Sequence, residues 1–235
     1  MEITRIYHSG FLLEFEHCVW LIDYYRGEIP DFDREKKLFV FSSHVHHDHF
    51  NPEVFDRYCD YPQVEYILSK DISLKPNFRK KYGMDEEQFS RTTPVKADEE
   101  YSFDDGWGET ICLKTLKSTD AGVAFILEYQ GKRIYHAGDL HWWHWEGEDK
   151  QWNNNMAASF KREMEKLRGL HLDVAFVPLD PRLEDAYWWG LDFLMKTAEV
   201  DLVYPMHYSD EPEVIDRFRQ DPVSETYRHK IVHRT

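Results

Sequence analysis

The chain has 235 residues, 42% of them hydrophobic and 31% charged. A chain of that length buries roughly 70% of the surface its unfolded form exposes, enough for one sizeable core. With 29 basic against 44 acidic residues the formal net charge is −15, a field that repels phosphate backbones and argues against nucleic acid as a partner.

Residues 2–7 and 10–16 read as two short strands joined at Ser9-Gly10, with Phe11, Leu12, Leu13 and Phe15 supplying the apolar content. A third strand is predicted at 18–23. The run KLFVFS at 37–42 is continuously apolar, the pattern of a strand buried on both faces, and it leads straight into His44. Asn51-Pro52 predicts a helix start, with Asn as cap and Pro in the first turn. Another strand follows at 64–68. Residues 70–100 are polar and predict a surface excursion with short helices; their Pro and Gly content is too low for a flexible linker.

After Trp107, strands are predicted at 109–115, 123–129 and 133–136. Met156, Phe160, Met164 and Leu167 recur at helical spacing, with Gly169 as the stop. Beyond it come a strand at 171–177, a helix at 191–200, a strand at 202–205, a helix at 212–218 and a last strand at 230–233.

One internal echo shapes the fold reading. Gly10-Phe-Leu-Leu-Glu-Phe, a turn and Leu21-Ile22-Asp23 are matched by Gly122-Val-Ala-Phe-Ile-Leu-Glu-Tyr, a turn and His136-Ala-Gly-Asp139. Each is a hairpin whose second strand runs into an aspartate. Two similar β-rich halves with helices on their outer faces predict an α/β (α+β) chain, a four-layer αββα sandwich of mixed sheets in one domain over 1–235.

No run of eighteen apolar residues exists, so no membrane span is expected. The opening stretch MEITRIYHSGFLLEF alternates and carries charge, unlike the layout of a signal peptide. Cys18, Cys59 and Cys112 are far apart and form no CxxC. That sparse, odd count predicts a reducing cytoplasm and buried, inert thiols.

The densest chemical signal is Ser43-His44-Val45-His46-His47-Asp48-His49, at the exit of the buried strand. Neutral imidazole and carboxylate are the usual ligands of zinc and similar divalent ions. Residues i and i+2 point to one side of an extended chain, so His44 and His46 can share an ion. The following turn aims Asp48 and His49 elsewhere, so a second ion close by is natural.

The segment His44-x-His46-x-Asp48-His49 resembles the HxHxDH motif of the metallo-β-lactamase superfamily. Leu21-Ile22-Asp23, Tyr135-His136-Ala137-Gly138-Asp139 and Tyr204-Pro205-Met206-His207-Tyr208 follow in that family's order, over about residues 1–210. The Gly-Asp and Pro-x-His spacing is most similar to the branch containing the ascorbate-phosphate lactonase. The resemblance implies a metal-dependent hydrolase holding one or two divalent ions, zinc first, with manganese, iron or nickel accepted by the same donors. It implies His44 and His46 at site one, Asp48, His49 and His207 at site two, and Asp139 bridging, with Asp23 supporting a ligand from behind.

This sequence departs from the family at one ligand. Where a third site-one histidine is expected, it reads Lys114-Thr-Leu-Lys117-Ser118-Thr119-Asp120. Site one is then weak or empty, completed by solvent or Ser118, or rescued by His141 or His144 from the segment His141-Trp142-Trp143-His144-Trp145. That segment is expected to rim the pocket or anchor the next helix. His8, in an early hairpin beside Gly10, is read as structural, with a hydrogen-bonding role near the site as the alternative; His47 is expected to point away from the metals.

The mechanism expected is attack of a metal-activated water on an ester, lactone, amide or phosphoester of a small molecule. Asp48 orients the nucleophile and carries its proton. The alternative is a metal-binding protein with little or no catalysis, because of the missing histidine. A homo-oligomer is left open.

Overall fold

The structure, a computed structural model, describes residues 1–233. Strands β1 (Glu2–Tyr7), β2 (Gly10–Glu14), β3 (Cys18–Ile22), β4 (Lys37–Ser42), β5 (Val64–Ser69) and β6 (Thr92–Val95) form a first sheet in that order. Strands β7 (Glu100–Asp104), β8 (Thr110–Lys117), β9 (Val123–Tyr129), β10 (Lys132–His136), β11 (His171–Pro178) and β12 (Glu199–Met206) form the second. The helices are α1 (Glu53–Arg57), α2 (Pro76–Lys81), α3 (Glu86–Ser90), α4 (Lys150–Met164), α5 (Trp189–Thr197) and α6 (Glu213–Gln220).

The two halves repeat one plan. In the first sheet β1, β2 and β3 pair antiparallel and β3 to β6 run parallel. In the second, β7 to β10 pair antiparallel and β10 to β12 run parallel. The hairpins β2–β3 and β9–β10 are the two copies of the internal echo. Each therefore delivers its aspartate, Asp23 or Asp139, beyond the end of a central strand.

Alternation along β3 shows the layering. Cys18, Trp20 and Ile22 join the core between the sheets, whereas Val19 and Leu21 join a second cluster with Phe55 of α1. Between the sheets Phe11 packs on Phe176 with ring centroids 4.3 Å apart, and Phe41 lies 5.8 Å from Phe125. On the far side of the second sheet, Phe160 and Met164 of α4 and Leu191 and Leu194 of α5 are buried. The result is a four-layer αββα sandwich of mixed sheets. Among the described residues no helix is long and apolar enough to cross a membrane.

Four expectations are corrected. The stretch 70–100 contains α2 and α3 but also β6, which completes the first sheet; Pro94 fits there because β6 is an edge strand. Helix α4 begins at Lys150, ahead of the apolar periodicity, because the Asp149 side chain accepts from the Trp152 amide and caps it. The strand expected at 230–233 is only a bridge between Val203 and Ile231 after a tight turn over Arg228–Lys230. Cys18 is buried, but Cys59 and Cys112 are exposed; Cys112 falls on the outward positions of β8.

Candidate metal centre

Strand β4 ends at Ser42, and the chain turns at once through residues 43–49. This turn is seated on the second sheet: the Val123 amide donates to the Ser43 carbonyl at 2.9 Å. Two glycines make the approach possible. Gly122 (φ +66°) and Gly138 (φ +50°) both face Ser43; a Cβ at 122 would lie 2.0 Å from the Ser43 carbonyl oxygen, and one at 138 would lie 2.7 Å from Ser43 Cβ. Only glycine meets both the positive φ and the contact.

Asp23, fully buried, organises the turn from behind. Its Oδ1 accepts from the Ser43 amide at 2.7 Å, and its Oδ2 accepts from Ser43 Oγ at 2.6 Å and His49 Nδ1 at 2.8 Å. Because the Ser43 hydroxyl donates to Asp23, its oxygen is left to accept from His44 Nδ1 at 3.0 Å. His136 lies behind the same carboxylate. Its Nδ1 accepts from the Gly138 amide at 3.2 Å, so its Nε2 carries the proton and donates to the Ser9 carbonyl at 3.1 Å.

The same orientation recurs across the site. His207 Nδ1 donates to Asp180 Oδ2 at 2.9 Å, and His8 Nδ1 pairs with Ser209 Oγ at 3.0 Å. With Nδ1 engaged outward in His8, His44, His49 and His207, each ring turns Nε2 inward. His49 and His207 Nε2 lie 3.1 and 3.3 Å from Asp139 Oδ1, and His44 Nε2 lies 3.4 Å from Asp139 Oδ2. His8 Nε2 lies 3.4 Å from Asp48 Oδ2. Two groups of ligand atoms result: His8, Asp48, His49 and His207 in one, and His44, His46 and Asp139 in the other.

The four inward Nε2 atoms and Asp139 Oδ1 are buried and lack any hydrogen-bond partner. A neutral imidazole whose Nδ1 holds the proton presents only a lone pair at Nε2. Lone pairs facing carboxylate oxygens repel unless a cation lies between them. Bonds of about 2.1 Å at tetrahedral angles put ligand atoms about 3.4 Å apart, the spacing found here. The residues therefore fit a divalent metal ion.

Without an ion, protons on these rings would have to supply the missing positive charge. Burial pushes the Asp139 carboxyl up, but the His49 and His207 imidazoles hold it well below the usual carboxylate range. Burial pushes the Asp23 and Asp48 carboxyls up, but His136 and His49 hold Asp23 low and the facing His8 ring holds Asp48 low. Burial works against charge on His49, yet Asp139 and Asp23 raise it well above the ordinary imidazole value. The pocket thus holds ionised carboxylates that call for positive charge. Its backbone is also strained: His8, Asp23 and His207 sit at φ 54°, 47° and 68°, a conformation costing of order 1–3 kcal/mol for non-glycine residues and concentrated at functional sites.

The structure thus brings together His44, His46, Asp48, His49, Asp139 and His207, with Asp23 behind them. It does not bring His141 or His144 to either group. His141 is buried against Gly190, where a Cβ would lie 2.4 Å from its ring, and His144 packs on Trp189 with ring centroids 4.7 Å apart. Ser118 Oγ instead accepts from the Asp120 amide at 3.2 Å. His47 turns outward onto Tyr25.

Three residues take places at the site that the sequence did not assign them. His8 enters the first group because its hairpin folds under β12, where the His207 amide donates to the His8 carbonyl at 3.2 Å. Asp180 orients His207 and binds Arg182 in a fork of 2.9 and 2.5 Å. Asp120 Oδ2 lies 3.5 Å from His46 Nδ1.

A cleft of about 280 Å³ opens over the centre, walled by Trp143, Trp145, Trp152 and Met156, with Asp48, Asp120, Asp139 and His207 at its base and Arg182 on its rim. Part of the tryptophan segment thus rims the pocket, as one of the two expectations held. A larger cleft of about 590 Å³ between Tyr101, Lys114, Glu128 and Lys166 holds no converging imidazoles. The chemistry belongs to the smaller one.

No protein-family model matches the sequence, and none of the curated proteins matches it. Solved structures do resemble it. Igni18, described as a novel metallo hydrolase from the archaeon Ignicoccus hospitalis, is 18% identical, with a TM-score of 0.65 over 98% of this chain and 93% of that one. The metallo-β-lactamase fold protein YhfI from Bacillus subtilis is 11% identical, with a TM-score of 0.52 over 88% of this chain and 81% of that one. CmlA, a diiron β-hydroxylase from Streptomyces venezuelae, is 11% identical, with a TM-score of 0.56 over 90% of this chain and 45% of that one. Together with the paired six-stranded sheets, these likenesses show that the chain has the metallo-β-lactamase fold.

Proposed function

We propose that this chain is a metal-dependent hydrolase acting on an ester, lactone, amide or phosphoester of a small molecule, with zinc the first candidate metal. The observation that carries the reading is the convergence of four buried, unpartnered Nε2 atoms on Asp48 and Asp139 beneath an open cleft. His8, Asp48, His49 and His207, with His44, His46 and Asp139 beside them, would hold divalent metal, which would provide hydroxide at neutral pH and polarise a substrate oxygen.

The chain's own residues divide the remaining work. Asp139 sets the spacing of the two ligand groups. Asp48, ionised and partly open to the cleft, accepts the proton of the attacking water and passes it to the leaving group. Asp180 and Asp23 fix His207 and His49 by their Nδ1 protons, which keeps Nε2 available. Trp145, Trp152 and Met156 pack on the organic part of the substrate and exclude water. Arg182, a guanidinium lining the cleft, favours a substrate with negative charge beside the scissile bond. The free cysteines and acidic charge support a cytoplasmic setting without nucleic acid.

The test is a panel of lactones, thioesters, phosphomonoesters and phosphodiesters assayed with zinc, manganese and iron. Turnover is expected with at least one metal, abolished by chelation and by D48A or H207A with folding intact. Absence of turnover with every metal would favour metal binding without catalysis.

A further inference from the structure

We infer that Asp120 is the fourth ligand of the outer metal site, a carboxylate standing where an imidazole is missing. The inference rests on the metal-dependent reading above. The outer group offers His44, His46 and Asp139, one ligand short of a closed tetrahedral set. His44 Nε2 is buried and unpartnered, so the site has a ligand atom that nothing else among the described residues satisfies.

The side chains that could complete it reduce to one. His141 is sealed against Gly190, His144 packs on Trp189, and Ser118 is turned to the Asp120 amide. Asp120 Oδ2 lies 3.5 Å from His46 Nδ1, close to the 3.4 Å that separates His44 Nε2 from Asp139 Oδ2. Each separation matches neighbouring ligands on one ion; Asp120 stands just outside the grouping of His44, His46 and Asp139, and its half-exposed side chain completes the site by turning inward beside His46. Asp120, His46 and Asp139 also line the same cleft.

The backbone holds Asp120 there. Ser118 Oγ ties its amide, and Thr119 Oγ1 donates to the His141 carbonyl at 2.7 Å and accepts from the His141 amide at 3.0 Å. Two residues on, Gly122 is wedged beneath His44. The strap 118–122 thus joins the two aspartates and the first histidine of the site in one rigid unit.

The sites then differ in chemistry. The outer one has two imidazoles and two carboxylates; the inner one has three imidazoles and Asp48, with Asp139 shared. Oxygen donors favour harder ions, so the outer site binds zinc more weakly and takes manganese relatively better.

The test is metal binding, read without any substrate. The stripped protein is titrated with zinc alone and with manganese alone by calorimetry, and bound equivalents are counted by elemental analysis. Wild type is expected to bind two zinc equivalents of unequal affinity. D120A and D120N are expected to weaken the looser one by at least about 100-fold, more than loss of a supporting residue costs, while leaving the tighter one unchanged. D120H is expected to restore it and shift its preference from manganese to zinc. Asp120 is half-exposed, and circular dichroism checks that the variants fold. Two equivalents unchanged in D120A and D120N, or a single one in wild type, would overturn the Asp120 assignment alone. No bound metal in wild type would overturn the metal-dependent reading with it.

Discussion

Gly122 lies directly against Ser43: a Cβ at 122 would stand 2.0 Å from the Ser43 carbonyl oxygen. This contact locks the histidine-bearing turn of one sheet onto the loop before β9 of the other. G122A must pay for both a positive φ and an overlap with backbone, so it is expected to lose at least about 2 kcal/mol. Thermal melts of the stripped protein check the stability, and zinc titration should show both sites weakened together.

The Asp180 carboxylate fixes His207 from behind. Removing such a partner usually costs about 10- to 100-fold in metal affinity. D180A is therefore expected to weaken the inner zinc by that factor, with the outer equivalent much less affected. Calorimetry measures it; equal weakening of both would show that Asp180 acts on the whole fold.

His8 is expected to matter as a metal ligand. H8A should reduce inner-site affinity more than D180A does, because it deletes a ligand atom and not merely its support. H8A with unchanged zinc affinity would return His8 to a structural role.

Acid should destabilise the stripped protein partly through His141. Burial pushes this imidazole down to about 4, with no hydrogen bond at either ring nitrogen. A group whose folded pKa is depressed contributes stability that is complete above its unfolded value, near 6.5, and is lost as pH falls. The loss reaches roughly 3 kcal/mol once pH passes below the folded value. H141L cannot take up the proton, so denaturant melts should show its stability falling less than that of wild type between pH 7 and pH 4.

What was legible in the sequence follows from how local each signal is. His44, His46, Asp48 and His49 share one turn, so their spacing carries the chemistry by itself. Asp139 and His207 are distant, but each ends a strand, and the internal echo predicts two sheets whose strand ends meet. His8 beside Gly10 suggested at most a hydrogen bond near the site, since its place among the ligand atoms arises only when the first hairpin folds under the end of β12. Asp180 precedes Pro181 and caps a tight turn, which masks its hold on His207. Asp120 stood in plain view in a stretch searched for an imidazole, and only the folded strap turns it to His46. The missed strands β6 and β7 are short and polar at the sheet margins, where burial imposes little pattern.

The decisive measurement is anomalous diffraction from crystals grown with zinc. A peak is expected within about 2 Å of His49 Nε2, His207 Nε2 and Asp139, and a second beside His44 and His46. Zinc scattering found only elsewhere, with these imidazoles bonded to the carboxylates through their own protons, would contradict the metal-dependent reading.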